Sequence, residues 1–490
     1  MKEVMQGRGS LAGAVPSLVF RRDVSSIVLR RSQLPHPPTI ATPARDLFHA
    51  LSQPTGIEAV REQARTFLDE KIAEASLLHS GLPKDMTALP AWLEQRCLRV
   101  RMDYRAYLAD RHAGHQPRYF SAKSHALHFL QSMAPSRMVE GAWLYGFLKH
   151  WREAKFAPLC RVYLRNLGDG DESSNQVSLY QQLLHQNGCS DWRGMADQYY
   201  VQGAIRLALG HHVDDYLPEI IGFNLGYEQV SLPMLIAAYE LSEMGVQPHY
   251  FTLQATEDDA CVVATIKLLC VLLDEASTQK DQHALLQRVA NGYKLHQLGL
   301  DIPDIVASFD LQQAFLSVIQ PYAVHIERAY RIDCMERGIR GRWPDSLPLP
   351  LLVQQLCHEG WMQADEKGKT RLWQVLERGH CLPWDAYQQQ VLLDWIASSQ
   401  EYVKRLQYTD MPALVIASGP SAHITAVQSG PHEVDEPQED VMDYIIRLLS
   451  PVVHYTQESL KAARVYKSIL DKGSELYAQH YAFLLRYDPV

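Results

Sequence analysis

The sequence lacks three things that would set its class at once. Its 8 cysteines, at positions 97, 160, 189, 261, 270, 334, 357 and 381, include no CxxC pair, so neither a disulfide framework nor a zinc ribbon is indicated and reduced thiols in a cytoplasm are expected. Its longest nearly continuous apolar run, Ala260 to Leu273, is 14 residues and is broken by Lys267, well short of the ~20 needed to span a bilayer. The N-terminus has no apolar segment of the kind a signal peptide carries. There is no basic excess either: 47 Lys and Arg stand against 56 Asp and Glu, a net charge of -9, so no field exists to hold a polyanion and no nucleic-acid partner is expected. GxxxxGK[ST], GxGxxG after a strand, HExxH and GxSxG are all missing, which removes phosphate-cradling loops, zincin proteolysis and the hydrolase elbow.

What is present is a large, apolar, helix-patterned chain. Of 490 residues 47% are hydrophobic, ample for a sizeable core. Residues 1–45 carry Arg8, Arg21, Arg22, Arg30, Arg31 and Arg45 against Glu3 and Asp23, with prolines at 35, 37 and 38, and read as a basic arm. Over 46–300 the apolar residues recur at helical spacing, as in Leu47, Leu51, Ile57, Val60, Ala64, Phe67 and Leu68, with no alternating set that would make strands. The expected fold is all-α, a helical bundle punctuated by Gly114, Pro135, Gly188, Pro218 and Gly245. A smaller helical appendage is expected over 301–415, a polar Gly/Pro-rich linker or loop over 416–440, and a last pair of helices within 441–490.

Chemistry has to come from acids and amides set in apolar helices. In PHYFTLQATEDDACVVATIKLLCVLL, Gln254, Asp258, Cys261 and Thr265 fall at i, i+4, i+7 and i+11, on one helical face. A buried carboxylate needs a cation or several hydrogen bonds, so Asp258 is either a metal ligand or a hydrogen-bonded core acid. Glu140, in RMVEGAWLYGF, stands in an equally apolar context. Glu172 and Gln176 are one turn apart where a helix opens, and an acid there can serve a metal or the helix dipole. Glu228 precedes Pro233 in a mixed segment. Four acids from four helices are what a bundle-core di-iron site uses, and what a set of separately satisfied core acids would look like as well.

Four runs, RYFSAKSHALHFLQSMAPSRMVEGAWLYG (118–146), YLRNLGDGDESSNQVSLYQQLL (163–184), YVQGAIRLALG (200–210) and the segment from Leu217 to Leu253, resemble the iron-containing redox enzyme family of haem-oxygenase-like di-iron oxidases. The resemblance spans about 44–300. It implies a haem-oxygenase-like bundle that binds iron, as a di-iron pair and without haem, and oxidises a small molecule with dioxygen. It implies Glu140, Glu172, Glu228 and Asp258 as metal ligands. The departures matter as much. Where the family's second-helix motif ends in Asn-His, this chain has Asn175-Gln176; where its later helix opens on His and continues through two Asp to a second His, this chain has Gln254, Asp258, Cys261 and Ala264. An amide oxygen is a weak ligand beside imidazole, so Gln176, Gln254 and Cys261 are expected as outer or degenerate ligand positions.

Two functions follow. One is an oxidase with a remodelled, carboxylate-rich metal site; the other is a metal-free pseudoenzyme that persists as a binding or regulatory scaffold, as a homodimer or beside an active homologue. Acids converging on one point with no Arg or Lys between them favour the first, since bare like charges cannot stay ionised so close. Acids each capped by a base or a backbone amide favour the second.

Overall fold

The computed structural model describes residues 43–53, 56–83, 85–255, 259–338, 347–363, 370–378, 384–406 and 440–472. Among them there is no strand, only isolated bridge residues such as the antiparallel pair Leu167 and Asn175, so the all-α expectation holds. Residues 1–42, most of the expected linker and residues 473–490 lie outside the described residues. None of the described helices is long and apolar enough to cross a membrane.

Local sequence accounts for the helices. In Ala44–Leu51 the buried Ala44, Leu47, Phe48 and Leu51 recur at i, i+3, i+4 and i+7, a stripe that faces the core. Helix Gln176–Gln186 opens on Asn175, whose side chain accepts from Ser178 N at 3.0 Å, the N-cap for which asparagine is suited. Helix Lys123–Arg137 is buried on almost every side. It ends before Gly141, whose φ of +74° suits a residue without a Cβ, and the chain turns there into a 3-10 stretch, Ala142–His150.

Two hydrophobic cores result. The larger joins residues from Ala44 to Ile305 with Met442, Ile445, Leu449, Ala462, Ala463, Tyr466 and Ile469. The C-terminal helices Val441–Leu448 and Gln457–Lys472 are therefore part of the bundle, not an addition to the appendage. Bonds that tie this segment to the first half of the chain include Tyr163 OH to Leu449 O (2.5 Å), Tyr466 OH to Leu148 O (2.7 Å) and Asn175 Nδ2 to His454 O (3.1 Å). The smaller core runs from Phe315 to Trp395 and is almost wholly apolar and aromatic. Asp394 joins the two by accepting from Ser124 N at 2.7 Å, at the opening of helix Lys123–Arg137, where a carboxylate is favoured.

Inside the bundle the tightest crossing is between Leu217–Tyr227 and Gln279–Leu295. A Cβ on Gly222 would fall 1.9 Å from Val289 O, and one on Gly292 1.9 Å from Glu219 O. These two glycines let the backbones touch, which carries Asn224 and Tyr227 inward beside the 3-10 stretch.

Candidate functional site

Three elements converge on Glu140. It sits in the turn after helix Lys123–Arg137 and is fully buried. Arg137, one turn back, points Nη1 at Glu140 Oε2 at 3.3 Å, and Arg206 of helix Val201–His211 points its own Nη1 at the same oxygen at 3.4 Å. Tyr227, the last residue of helix Leu217–Tyr227, donates its hydroxyl to Oε1 and accepts from Arg137 Nη1 at 2.6 Å. Arg206 also donates to Ser136 O at 2.7 Å and lies over the ring of Tyr227, 4.7 Å from its centroid. Both oxygens of Glu140 are thus committed to protein donors, two of them cationic.

The surroundings are aromatic and dry. Burial, with Glu140 acting the same way and the arginines against it, pushes the Tyr227 phenol well up, and burial does the same to Tyr180 and Tyr250. His296, whose ring faces Tyr227 and Phe223, is pushed down to about 4, first by burial and then by Arg206 and Arg137. It is a neutral imidazole at neutral pH. A second polar chain runs alongside: Trp143 Nε1 donates to Asn224 Oδ1 (2.8 Å), Asn224 Nδ2 to Thr265 Oγ1 (2.8 Å), and Thr265 Oγ1 to Cys261 O (2.9 Å).

The other expected ligands do not join Glu140. Glu172 is exposed in a 3-10 turn and accepts from Gln457 Nε2 at 2.9 Å, so its assignment as a core ligand is corrected: the helix cap is Asn175, and the loop keeps Glu172 on the surface. The residue of the preceding helix that lies against the Glu140 turn is Asn166, buried, with Nδ2 2.7 Å from where a Cβ on Gly141 would be. Glu228 is half-buried at the C-terminal cap of helix Leu217–Tyr227. Asp258 and the side chain of Gln254 lie outside the described residues. Gln176 is buried at the opening of its helix, and Cys261 is buried with Arg165 Nη1 3.2 Å from its sulfur. Among the described residues no three or more His, Cys, Asp or Glu side chains are grouped closely enough to hold a metal ion.

Those residues do not fit iron. A divalent cation on Glu140 would have to displace Tyr227 or share one carboxylate with two guanidinium groups, and like charges at such range repel strongly away from water. Sequence reasoning passed over Arg137, Arg206, Tyr227, Asn166 and Asn224. The signal for Arg206 was on view in YVQGAIRLALG: a charge in an apolar helix needs a partner, whichever its sign.

Compared with known proteins, residues 127–296 match the family model described as iron-containing redox enzyme. No curated protein and no solved structure matches the chain. The match spans the Glu140 turn, both arginines and the Thr265 helix, roughly a third of the sequence, and over these residues the chain is similar to the iron-containing redox enzyme family.

Proposed function

We propose that this domain keeps the bundle of a redox enzyme family but works without iron, as a binding scaffold. The family match supports a general oxidoreductase type of function; the finer reading rests on one observation, that Glu140 is held by Arg137 and Arg206 at 3.3 and 3.4 Å. Positive charge that a metal would bring is supplied by guanidinium groups, which cannot be deprotonated in a protein. The amides Gln176 and Gln254, and Ala264, which stand where the resemblance implies histidines, agree with it.

A scaffold of this kind would act by binding a small molecule, or by pairing with a second copy or with an active homologue. The test is metal content after anaerobic loading with Fe(II), followed by a dioxygen pulse watched in the visible. Well below one iron per chain and no transient band are expected. Near two irons per chain with a transient band would overturn the reading and return the chain to the oxidases, with a small-molecule substrate to be sought.

A further inference from the structure

Among the described residues, the centre of the bundle holds more positive charge than its acid neutralises. Arg137 and Arg206 are 6% and 4% exposed, and among the described residues the carboxylate paired with either is Glu140, shared between them. Two guanidinium groups against one carboxylate leave one unit of positive charge. Glu219, another buried acid of the bundle, is balanced by one arginine whose side chain reaches solvent: it takes Arg288 through both oxygens at 2.7 Å. His296 adds no compensation, being neutral, and the tyrosines around the pair are held in their neutral form by burial.

The hydrogen bonds are unbalanced in the same direction. Arg137 Nε, Arg206 Nε and Asn166 Nδ2 have no partner, and all three side chains are more than nine-tenths buried. Every one is a donor. A buried N–H without an acceptor costs free energy, and a buried cation without a counter-charge costs more. Both deficits are met by the same thing, a negatively charged acceptor. In each guanidinium Nη1 is taken up by Glu140 and its neighbours, which leaves the Nε edge, the edge that matches a carboxylate in planarity and spacing.

We propose that the Nε edges of Arg137 and Arg206, with Asn166 Nδ2 against the same Glu140–Gly141 turn, form a buried binding site for a small monovalent anion, chloride or the carboxylate of a ligand no larger than formate. Trp143, whose ring lies 5.4 Å from the Arg206 guanidinium, and Tyr180 and Tyr250 are each 2% exposed or less, so the surroundings are close-packed and favour a small ligand. The inference rests on the metal-free reading: a domain whose relatives bring a cation to this turn brings an anion.

The test uses the full chain, checked for iron content, in thermal unfolding at constant ionic strength, with sodium gluconate as the bulky control salt. Formate is expected to raise the melting temperature saturably, as a ligand of the folded state does, and gluconate is not. Arg206→Gln should abolish the response. Glu140→Gln, which raises the net charge of the cluster by one, should tighten formate binding about tenfold, the opposite sign from the loss of an ordinary packing residue. If Arg206→Gln does not fold, chloride-35 relaxation on the wild-type chain decides: excess line broadening that formate displaces supports the site, and its absence overturns it. A linear response equal in formate and gluconate, or a saturable one unchanged in both variants, also overturns it. An iron-free chain with no anion response sinks this inference alone, whereas stoichiometric iron with no anion response sinks the metal-free reading with it.

Discussion

Glu140 and Glu240 are fully buried acids of the same bundle, satisfied by opposite means. Glu240 accepts from Tyr107 OH at 2.6 Å and from three consecutive backbone amides, those of Arg118, Tyr119 and Phe120, at 2.5, 2.9 and 3.0 Å. These are neutral donors fixed by the chain path, and they pin the segment entering helix Lys123–Arg137 onto helix Leu232–Glu243. Glu140 instead meets two guanidinium groups and a phenol. The first arrangement is closed and can do nothing but hold the fold. The second has donors left over, which is the condition for binding something else.

The largest expected effect tests the closed end of this contrast. Glu240→Ala would leave Tyr107 and three amides without an acceptor and should cost about 4 kcal/mol in denaturant unfolding; a cost below about 1 kcal/mol would mean that water replaces the carboxylate easily and that the acid is not structural. Next comes pH. A histidine in the unfolded chain titrates near 6.5, whereas His296 in the fold is pushed down to about 4, so between those values the unfolded state binds more protons. Stability should fall as pH drops from about 6.5 towards 4, by up to ~1.4 kcal/mol per pH unit from this residue. His296→Phe should flatten that slope, and Arg206→Gln should bring the His296 pKa, followed by NMR, back towards its ordinary value.

A smaller effect separates the two acids directly. Glu140→Gln keeps shape and adds uncompensated charge, so it should destabilise the chain by about 2 kcal/mol in gluconate buffer and by clearly less in saturating formate. Glu240→Gln should show no such salt dependence. The smallest change is Tyr107→Phe, expected to cost about 1 kcal/mol because three amides still satisfy Glu240. An equal loss from Tyr107→Phe and Glu240→Ala would refute the claim that the amides carry that site.

Much of the architecture was legible because helical period and breakers are local properties. The Ala44–Leu51 stripe and the opening of the Gln176 helix are each written in a few adjacent residues, whereas the turn at Gly141 lay unnoticed in an apolar run that reads as one helix. The return of the C-terminal helices into the larger core was not, since nothing near Tyr466 announces Leu148 as its partner. The site was half legible. Glu140 stood out as a charge in an apolar context, and rightly, for it is buried at the centre. Its partners did not, because the spacing that marks a metal site singles out acids and is silent about arginines in the same apolar setting. Glu172 misled for a physical reason: an acid beside a helix opening has the same sequence appearance whether its loop turns inward or, as here, out to Gln457.

The seating of Met442, Leu449, Tyr466 and Ile469 among residues of the first half of the chain also bears on how the protein is made. The large core cannot close until these residues have left the ribosome, while Phe315 to Trp395, which build a core among themselves, emerge earlier and pair locally. Closure by contacts of such long sequence separation is slow, and an unfinished apolar core invites association. During synthesis the order of assembly is therefore inverted relative to the sequence, with the appendage complete while the domain that precedes it waits, open on one side, for its last two helices.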